Sequence, residues 1–336
     1  MNAFRAPKFW NRRGSTIAAR LLAPLGALYG AATARKMARA GEQVAVPVIC
    51  IGNFVLGGAG KTPTAITIAK MLLQRGERVA FLSRGYGGEK RAAPLRVDPS
   101  MHGARAVGDE PLLLARIAPC YVGGDRVAGA RVAIEQGASV LVMDDGLQSP
   151  ALAKDLRLAV VDAEAGFGNG LCFPAGPLRA PVAGQARFVD AVIFVGGEDG
   201  ARLKTVAPGR PHFAAHLRPD AIAAAPLVGR SVLAFAGIAR PEKFFATLES
   251  IGARVAVRQG FPDHHRFARR ELEALVYEAE QRGLTLVTTE KDAVRIPAAE
   301  RATIMALPVT LAFEEPKGLE KLIMAALLAH RAKARG

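Results

Sequence analysis

The sequence predicts an α/β layered fold with a mostly parallel sheet, and three observations lead to it. Past Gln43, short runs rich in β-branched and apolar residues alternate with stretches whose apolar residues recur at helical spacing. The first run leads through a glycine-rich loop directly into a helical stretch. A Pro- and Ala-rich segment, Pro208–Val228, interrupts the alternation, which then resumes. Because 336 residues with 50% hydrophobic content suffice for about two domains, we expect a second, smaller α/β domain after that segment.

Each predicted strand is a short apolar run, and each predicted helix has apolar residues along one face. In the first domain the predicted strands are Val46–Ile51, Arg78–Ser83, Val140–Met143, Leu158–Val161 and Ala191–Val195, and the predicted helices are Thr64–Arg75 and Arg126–Gln136. In the second domain the predicted strands are Ser231–Ala236, Leu284–Thr288 and Val309–Phe313, and the predicted helices are Pro241–Ile251 and Arg270–Arg282. The sequence therefore predicts an N-terminal helix within residues 1–40, a first α/β domain over 41–225 and a smaller α/β domain over 226–336.

The basic charge of the chain is concentrated at its amino terminus. The formal net charge is +15, and eight basic residues but no acid precede Glu42. The eight are Arg5, Lys8, Arg12, Arg13, Arg20, Arg35, Lys36 and Arg39. Between them, the uncharged stretch Leu21–Ala34 is shorter than the ~20 apolar residues of a membrane span. We interpret it as a helix that lies in the lipid headgroup layer; an ordinary packed helix and a cleaved signal peptide are the alternatives.

A phosphate-binding loop is predicted where the first strand meets the first helix. Its residues are Gly57, Gly58, Ala59, Gly60, Lys61 and Thr62. Glycines let backbone N–H groups turn inward around a phosphate, while the lysine reaches the β- and γ-phosphates and the threonine hydroxyl binds Mg²⁺. The usual pattern has a glycine five residues before Gly60, where this chain has Val55. With a strand before it and a helix after it, the motif predicts a P-loop NTPase-like domain that binds ATP.

Two adjacent carboxylates, Asp144 and Asp145, follow the predicted strand Val140–Met143. An acid at the carboxyl end of a buried parallel strand is where P-loop enzymes hold Mg²⁺ or its waters. Adjacent carboxylates also repel one another, and a divalent cation relieves that repulsion. The sequence therefore predicts a Mg²⁺ site here; the alternative is an Asp-Asp-Gly turn with solvated side chains.

Three further groups of polar residues are weaker candidates when each is taken alone. Asp109 and Glu110 stand at a predicted helix start, where an acid often serves only as a cap. In Asp263–His265, an imidazole beside a carboxylate can accept a hydroxyl proton, although the segment also suits a surface loop. Arg84 and Arg179 follow glycine-rich or proline-containing turns and are candidates to bind an anionic substrate.

Taken together, these motifs resemble the tetraacyldisaccharide 4'-kinase family, the lipid A 4'-kinases of Gram-negative bacteria. The resemblance extends over nearly the whole chain, and it includes a glycine-rich loop that lacks its early glycine, so Val55 is expected in this family. The other matching segments are Ser83–Gly88, Gly108–Pro111, Asp144–Gln148, Gly176–Arg179, Asp263–His264 and Thr289–Asp292.

The resemblance implies transfer of the γ-phosphate of ATP, with Mg²⁺, to the 4'-hydroxyl of an acylated glucosamine disaccharide 1-phosphate lipid, which gives lipid IVA. It implies peripheral or monotopic attachment to the cytoplasmic face of the inner membrane. It also implies that Asp109 is the base and that His264 assists it after two domains close around the substrate. Nucleotide and metal contacts are implied for Lys61, Thr62, Asp144, Asp145 and Gln148, and substrate contacts for Arg84, Glu110 and Arg179.

Two other classes of protein share parts of this pattern. A membrane-associated P-loop ATPase switch, which phosphorylates no lipid, carries a signature lysine before its glycine pair, and this chain has Leu56 there. A nucleic-acid-binding protein is suggested by the pI near 10.3 alone. Because aromatic residues make up only 6% and are not interleaved with basic ones, we expect no nucleic-acid partner.

Overall fold

The computed structural model of the chain describes residues 7–11, 16–197 and 206–334. Its strands are β1 (Val48–Gly52), β2 (Val79–Ser83), β3 (Leu95–Arg96), β4 (Cys120–Val122), β5 (Val140–Asp144), β6 (Leu156–Asp162), β7 (Ala191–Val195), β8 (His212–Pro219), β9 (Ser231–Ala236), β10 (Arg254–Gly260), β11 (Thr285–Thr289), β12 (Met305–Leu307) and β13 (Val309–Phe313). Its α-helices are α1 (Ile17–Met37), α2 (Lys61–Gln74), α3 (Ala104–Val107), α4 (Asp109–Ala115), α5 (Arg126–Glu135), α6 (Val182–Ala186), α7 (Ala221–Ala224), α8 (Pro241–Ser250), α9 (Arg269–Gln281), α10 (Glu290–Ala293), α11 (Ala298–Arg301) and α12 (Pro316–Lys333). Short 3₁₀ helices cover Lys8–Asn11 and Ala225–Leu227.

The larger of two sheets has nine strands in the order β13-β8-β7-β6-β1-β5-β2-β4-β3. All neighbouring strands are parallel except at the two edges, where β13 and β3 run antiparallel. Strands β1, β2, β5 and β7 are buried at every residue, because apolar layers cover both faces of the sheet. Ile49 and Ile51 face one layer, and Val48 and Cys50 face the other. The carboxyl ends of the central strands therefore meet at one edge.

The smaller sheet has the order β10-β9-β11-β12, and all its strands are parallel. Helices α8 and α9 cover its two faces: Phe244 and Phe245 pack on one side, and Leu272 and Leu275 on the other. The two sheets together are the α/β architecture, with a second, smaller α/β unit, that the sequence predicts. We call the two parts the larger unit and the smaller unit.

The predicted elements agree best with the structure where strands are buried. Ala191–Val195, Ser231–Ala236 and Val309–Phe313 match the observed bounds, and the other predicted strands begin or end within two residues of the observed ones. Five strands were not predicted: β3, β4, β8, β10 and β12. Strand β8 lies in the Pro- and Ala-rich segment, β10 is a largely exposed edge strand, and β3, β4 and β12 have only two or three residues each.

The end of the chain returns to the larger unit, unlike the predicted smaller domain over 226–336. Strand β13 pairs antiparallel with β8 from Val309 to Phe313, in the nine-stranded sheet. Helix α12 then buries Leu319, Ile323 and Leu327 in the core beside that sheet. The smaller unit thus spans about residues 221–307, and the predicted boundary at the end of the chain is wrong. The sequence pattern shows which runs are strands, but it does not show which sheet each strand joins.

Helix α1 is longer than the uncharged stretch that predicts it, because it includes charged residues at both ends. It rests on the larger unit through small residues: a side-chain carbon at Gly26 would lie 2.6 Å from the Cys172 carbonyl oxygen, and one at Gly30 would lie 2.7 Å from Cys172 Sγ. Tyr29 also stacks edge-on against Phe173. Glycine at these two positions allows a close approach that larger residues would block.

The opposite face of α1 is apolar and exposed. Ile17, Leu21, Leu25 and Leu28 have between 58% and 78% of their surface exposed. By length and composition, α1 is able to cross a membrane, a property that signal sequences near the amino terminus share. Of the basic residues named above, Arg5, Arg12 and Arg13 lie outside the described residues.

Candidate active site

The phosphate loop has an open concave side. It leaves β1 at Gly52 and enters α2 at Lys61, with positive φ angles of 110° at Gly57 and 87° at Gly60. A side-chain carbon at Gly57 or Gly58 would meet nothing within 4 Å, so both residues border free space. Lys61 Nζ donates to the Gly57 carbonyl oxygen at 3.1 Å. The loop therefore offers backbone N–H groups, a helix amino terminus and a lysine to one small volume, as an anion site requires.

The structure explains why Val55 stands where the loop motif usually has glycine. It forms a β-bridge with Leu178, and the Leu56 N–H donates to the Pro177 carbonyl oxygen at 2.7 Å. Arg179 Nε donates to the Val55 carbonyl oxygen at 3.0 Å. A β-branched residue suits this extended pairing. The entry of the loop is thus fastened to the segment 176–179, and α1 packs on the residues that flank this segment, Cys172 and Pro181.

Asp144 and Asp145 lie at the carboxyl end of β5, next to the loop. Thr62 Oγ1 donates to Asp144 Oδ2 at 3.1 Å, and Arg179 Nη2 donates to Asp145 Oδ2 at 3.0 Å. Lys61 Nζ lies 3.7 Å from Asp145 Oδ1. Five predicted nucleotide and metal residues converge here, since Gln148 Oε1 also accepts from Arg179 at 3.2 Å.

The two carboxylates have opposite electrostatic environments. Burial, with the nearby charges of Glu110 and Asp145, raises the pKa of Asp144 to about 7. Burial also works to raise the pKa of Asp145, but the charges of Lys61 and Arg179 hold it well below its ordinary value. Asp144 therefore has less compensating positive charge beside it than Asp145, which contacts both Lys61 and Arg179.

The residues at this edge fit Mg²⁺. Asp144 Oδ1 and Asp145 Oδ1 are buried oxygen atoms without a hydrogen-bond partner, and the Thr62 hydroxyl lies beside Asp144. Within the described residues there is no group of three or more His, Cys, Asp or Glu side chains that could hold a metal. Mg²⁺ suits such a set, because it commonly takes one or two carboxylates and completes its shell with waters and phosphates.

A second constellation surrounds Asp109, at the first turn of α4. The helix cap is Gly108, so the Asp109 side chain is not used as a cap. It is 4% exposed and receives groups of the smaller unit: His264 Nδ1 lies 3.1 Å from Asp109 Oδ2, and Arg295 donates to the same oxygen. Lys291 Nζ lies 3.8 Å away. Asp109 and His264, expected to meet only on domain closure, are already in contact.

Charge and backbone geometry both mark this contact. Burial works to raise the pKa of Asp109, but the Lys291 charge, the His264 hydrogen bond and the Arg295 charge hold it well below its ordinary value. His264 has a φ of 57°, and Asp145 has a φ of 53°; within the described ranges these are the non-glycine residues with positive φ. Such strained backbone tends to persist at functional sites.

The other predicted contacts lie around these two groups. Glu110 Oε1 pairs with Lys291 Nζ at 3.3 Å. Arg84 is exposed at the end of β2, where its charge helps to lower the pKa of the buried Arg126 guanidinium, after the larger effect of burial. His265 stacks on Phe261 with ring centroids 4.7 Å apart, and its Nε2 lies 2.9 Å from Glu271. His265 is therefore a packed residue of the smaller unit.

Comparison with known proteins gives the family. The family model described as "Tetraacyldisaccharide-1-P 4'-kinase" matches residues 18–328 of the chain. The chain belongs to the tetraacyldisaccharide 4'-kinase family. A curated member from Methylobacterium sp. (strain 4-46) is 55% identical over 98% of this chain and 99% of its own length. One from Rhodopseudomonas palustris (strain BisA53) is 49% identical over 97% of each chain.

A solved structure of this family agrees in fold. It is described as an "apo" form of LpxK from Aquifex aeolicus in complex with ATP. It is 26% identical to this chain, with a TM-score of 0.73, and the match covers 93% of this chain and 100% of that one. The resemblance to the tetraacyldisaccharide 4'-kinases that the motifs indicated is confirmed.

Sequence reasoning missed several residues of this tetraacyldisaccharide 4'-kinase site. Arg295 carries no local signal, because it lies 186 residues from its partner Asp109. Arg126 begins α5 and donates to the Asp145 carbonyl oxygen at 3.1 Å. Asn53 is fully buried and donates to the Gly57 carbonyl oxygen at 3.1 Å. The positions of Asn53 and Arg126, just after β1 and near the end of β4, are signals that strand-end reasoning could have used.

Proposed function

We propose that the protein transfers the γ-phosphate of ATP to the 4'-hydroxyl of tetraacyldisaccharide 1-phosphate and so forms lipid IVA in lipid A biosynthesis. The observation that carries the proposal is that the Asp109–His264 pair lies close to the carboxylates beside the phosphate loop. Glu110, the neighbour of Asp109, is close enough to Asp144 for its charge to raise the pKa of that carboxyl. The family name supports the identity of the acceptor lipid.

On the nucleotide side, the residues bind and neutralise phosphate. The loop Gly57–Gly60 donates backbone N–H groups, and Lys61 moves from its own loop carbonyl to the transferred phosphoryl group. Thr62, Asp144 and Asp145 would hold Mg²⁺, and Gln148 would orient that site. When bound, Mg²⁺ neutralises charge on the β- and γ-phosphate oxygens.

On the acceptor side, the Asp109–His264 pair takes the proton of the sugar hydroxyl. The low pKa of Asp109 keeps its carboxylate charged, and its contact with His264 Nδ1 fixes the ring so that Nε2 faces away from the carboxylate. Because phosphoryl transfer requires mainly positioning and charge neutralisation, an oriented acceptor of modest basicity is sufficient. Arg84, Glu110 and Arg179 are proposed to contact the substrate, and the two arginines are proposed to meet its anionic groups.

The lipid substrate requires a membrane surface, and α1 supplies a means of attachment. We propose that Ile17, Leu21, Leu25 and Leu28 enter the cytoplasmic leaflet of the inner membrane as a peripheral or monotopic anchor, with nearby cations on anionic headgroups. Flotation with anionic vesicles tests this. Leu21→Ser with Leu28→Ser should abolish co-flotation, whereas a paired change on the exposed surface of α9, Ala274→Ser with Glu273→Gln, should not; retained flotation of the α1 variant would contradict the proposal.

A radiolabelled ATP assay tests the reaction itself. The protein is incubated with γ-labelled ATP, Mg²⁺ and tetraacyldisaccharide 1-phosphate, and lipids are separated by thin-layer chromatography. Label should move to a lipid product only when the acceptor is present. ATP hydrolysis that ignores the lipid, with no labelled lipid, would instead identify a membrane-associated ATPase switch.

A further inference from the structure

A second group of charged residues joins the two units, away from the Asp109 contact. Asp162 ends β6 in the larger unit, and Glu164 follows it. Arg240 precedes α8 in the smaller unit, and Lys243 lies in its first turn. Arg240 donates to Asp162 Oδ2 and lies 3.2 Å from Glu164 Oε2, while Lys243 Nζ lies 2.8 Å from Glu164 Oε2 and 3.4 Å from Asp162 Oδ2. We call these four residues the β6–α8 clamp.

The larger unit holds its half of the clamp in a fixed position. Asp162 Oδ1 accepts the N–H groups of Glu164 and Ala165, each at 3.0 Å. The Asp162 side chain is only 14% exposed, so Oδ2 has little access to water beyond Arg240 and Lys243. An ion pair whose carboxylate is immobilised and partly desolvated retains more of its Coulomb energy than one on an open surface.

The clamp and the Asp109 contact lie on opposite sides of the phosphate loop, and charge is divided between the two units in the same way in both. In both, the larger unit provides carboxylates and the smaller unit provides cations: Asp109 meets Lys291 and Arg295, as Asp162 meets Arg240. Strand β6, which carries Asp162, neighbours β1 on one side, whereas α4, which carries Asp109, packs on β2 and β4 on the other side of β1. The phosphate loop that follows β1 thus lies between the two contacts, and no member of the clamp contacts the residues assigned to the reaction.

We propose that the β6–α8 clamp positions the smaller unit over the phosphate loop, so that His264 and Arg295 reach Asp109. The effect of the clamp on turnover rests on the proposed function, but its effect on the distance between the two units does not. Its residues are positioning residues, since they act through the orientation of the smaller unit. In the described residues the chain crosses between the units near 220 and 308, and these crossings lie side by side, since the Asp220 N–H donates to the Pro308 carbonyl oxygen at 2.9 Å. Side-chain contacts away from the crossings, including the clamp, must therefore set the orientation of the smaller unit.

The structural test needs no lipid. Spin labels at Lys70→Cys on α2 and Ala274→Cys on α9, both exposed positions, report the separation of the units; the native cysteines are buried. Pulsed electron resonance of the ATP-bound protein should show a narrow distance distribution that broadens towards longer distances with Arg240→Ala. An unchanged distribution would overturn the proposal, whether or not the protein phosphorylates lipid.

The kinetic test distinguishes ion pairs that orient the smaller unit from ion pairs that only stabilise the fold. Arg240→Ala should lower kcat about tenfold with little change in KM for ATP, and Arg240→Lys should restore part of it. Asp162→Asn should lower kcat less in the double variant than it does alone, because the Arg240–Asp162 pair is already lost and only the longer Lys243–Asp162 pair, at 3.4 Å, is left to remove. The matched control is Arg258→Ala, an arginine of the smaller unit whose partners, Glu242 and Glu249, lie in the same unit. Additive losses, or an equal loss in the control, would refute the clamp.

Discussion

Asp144, beside the phosphate loop, and Asp109, at the contact between the two units, are both buried carboxylates, and the charges that surround them differ in sign. Asp144 is 1% exposed and Asp109 is 4% exposed, so burial alone would raise the pKa of each. Asp144 has a hydroxyl donor and nearby acids, and its pKa is raised to about 7. Asp109 has Arg295, Lys291 and His264, and its pKa is held well below the ordinary range. Similar burial therefore accompanies pKa shifts in opposite directions, because the neighbouring charges differ.

This difference separates two chemical roles. A carboxylate that lacks compensating charge attracts a cation, which fits Asp144 as a ligand for Mg²⁺. A carboxylate held charged by cations from another unit is fixed in place, which fits Asp109 as the group that orients His264 and accepts hydrogen bonds. Sites in which neighbouring groups have pKa values displaced in opposite directions commonly divide their work in this way.

Replacing Asp109, the carboxylate of the Asp109–His264 pair, should have the largest effect on turnover. Asp109→Asn keeps the shape but removes the charge, so kcat should fall by about 10²–10⁴-fold with modest change in KM for ATP. Steady-state kinetics of lipid phosphorylation measures both constants. The control is Asp263→Asn, whose carboxylate lies 3.9 Å from His264 Nε2 and is not assigned to proton transfer. Near-normal turnover of Asp109→Asn would remove Asp109 from the mechanism.

Replacing Asp144 should affect metal binding and stability in opposite directions. Asp144→Asn should weaken Mg²⁺ binding, measured by calorimetry in the presence of ATP. In the unliganded protein the folded-state pKa of about 7 lies above the ordinary ~3.9, so stability from this group is present at low pH and is lost as pH rises through 7.

The same variant should therefore be more stable than the parent at high pH. At pH 8, Asp144→Asn should raise the free energy of unfolding by up to about 4 kcal/mol, and at pH 5 by much less. Thermal unfolding without Mg²⁺ at the two pH values measures this. A variant that is less stable than the parent at pH 8 would show that Asp144 is already compensated, and the contrast with Asp109 would fail.

The two sides of the site were not equally predictable from the sequence. Residues on the nucleotide side are close together in the chain or follow strands of the central sheet, so a local pattern such as Gly57–Thr62 or Asp144–Asp145 is enough to find them. The surroundings of Asp109 are brought from another unit. Arg295 has no local pattern, and the segment Thr289–Asp292, which carries Lys291, could be assigned to the site only through the resemblance to a family. The resemblance to a family supplied the Asp109–His264 pairing, and no periodicity could have done so.

Arg295 should control the acid side of the pH profile. Arg295→Met removes one of the cations that lower the pKa of Asp109, so that pKa should rise, and activity, which needs the charged carboxylate, should be lost at a higher pH than in the parent. Turnover near pH 8 should fall about tenfold because the smaller unit loses a contact. The measurement is kcat/KM from the lowest pH at which the folded protein is active up to pH 9, because Asp109 titrates below its ordinary range in the parent. Arg295→Lys should keep the parent profile, and an unshifted profile for Arg295→Met would mean that Arg295 is only structural.

The smallest change restores the glycine that the loop motif usually has. Val55→Gly should lower the free energy of unfolding by about 1 kcal/mol, because glycine loses more backbone freedom in the bridge to Leu178, and Tm should fall by about 1–3 °C. Since the Val55 carbonyl holds Arg179, KM for ATP should rise a few-fold, while the pH profile set by Asp109 should not move. Val55→Thr, which is also β-branched, is the matched control. A shifted pH profile in Val55→Gly would show that the phosphate loop is coupled to the Asp109 side of the site.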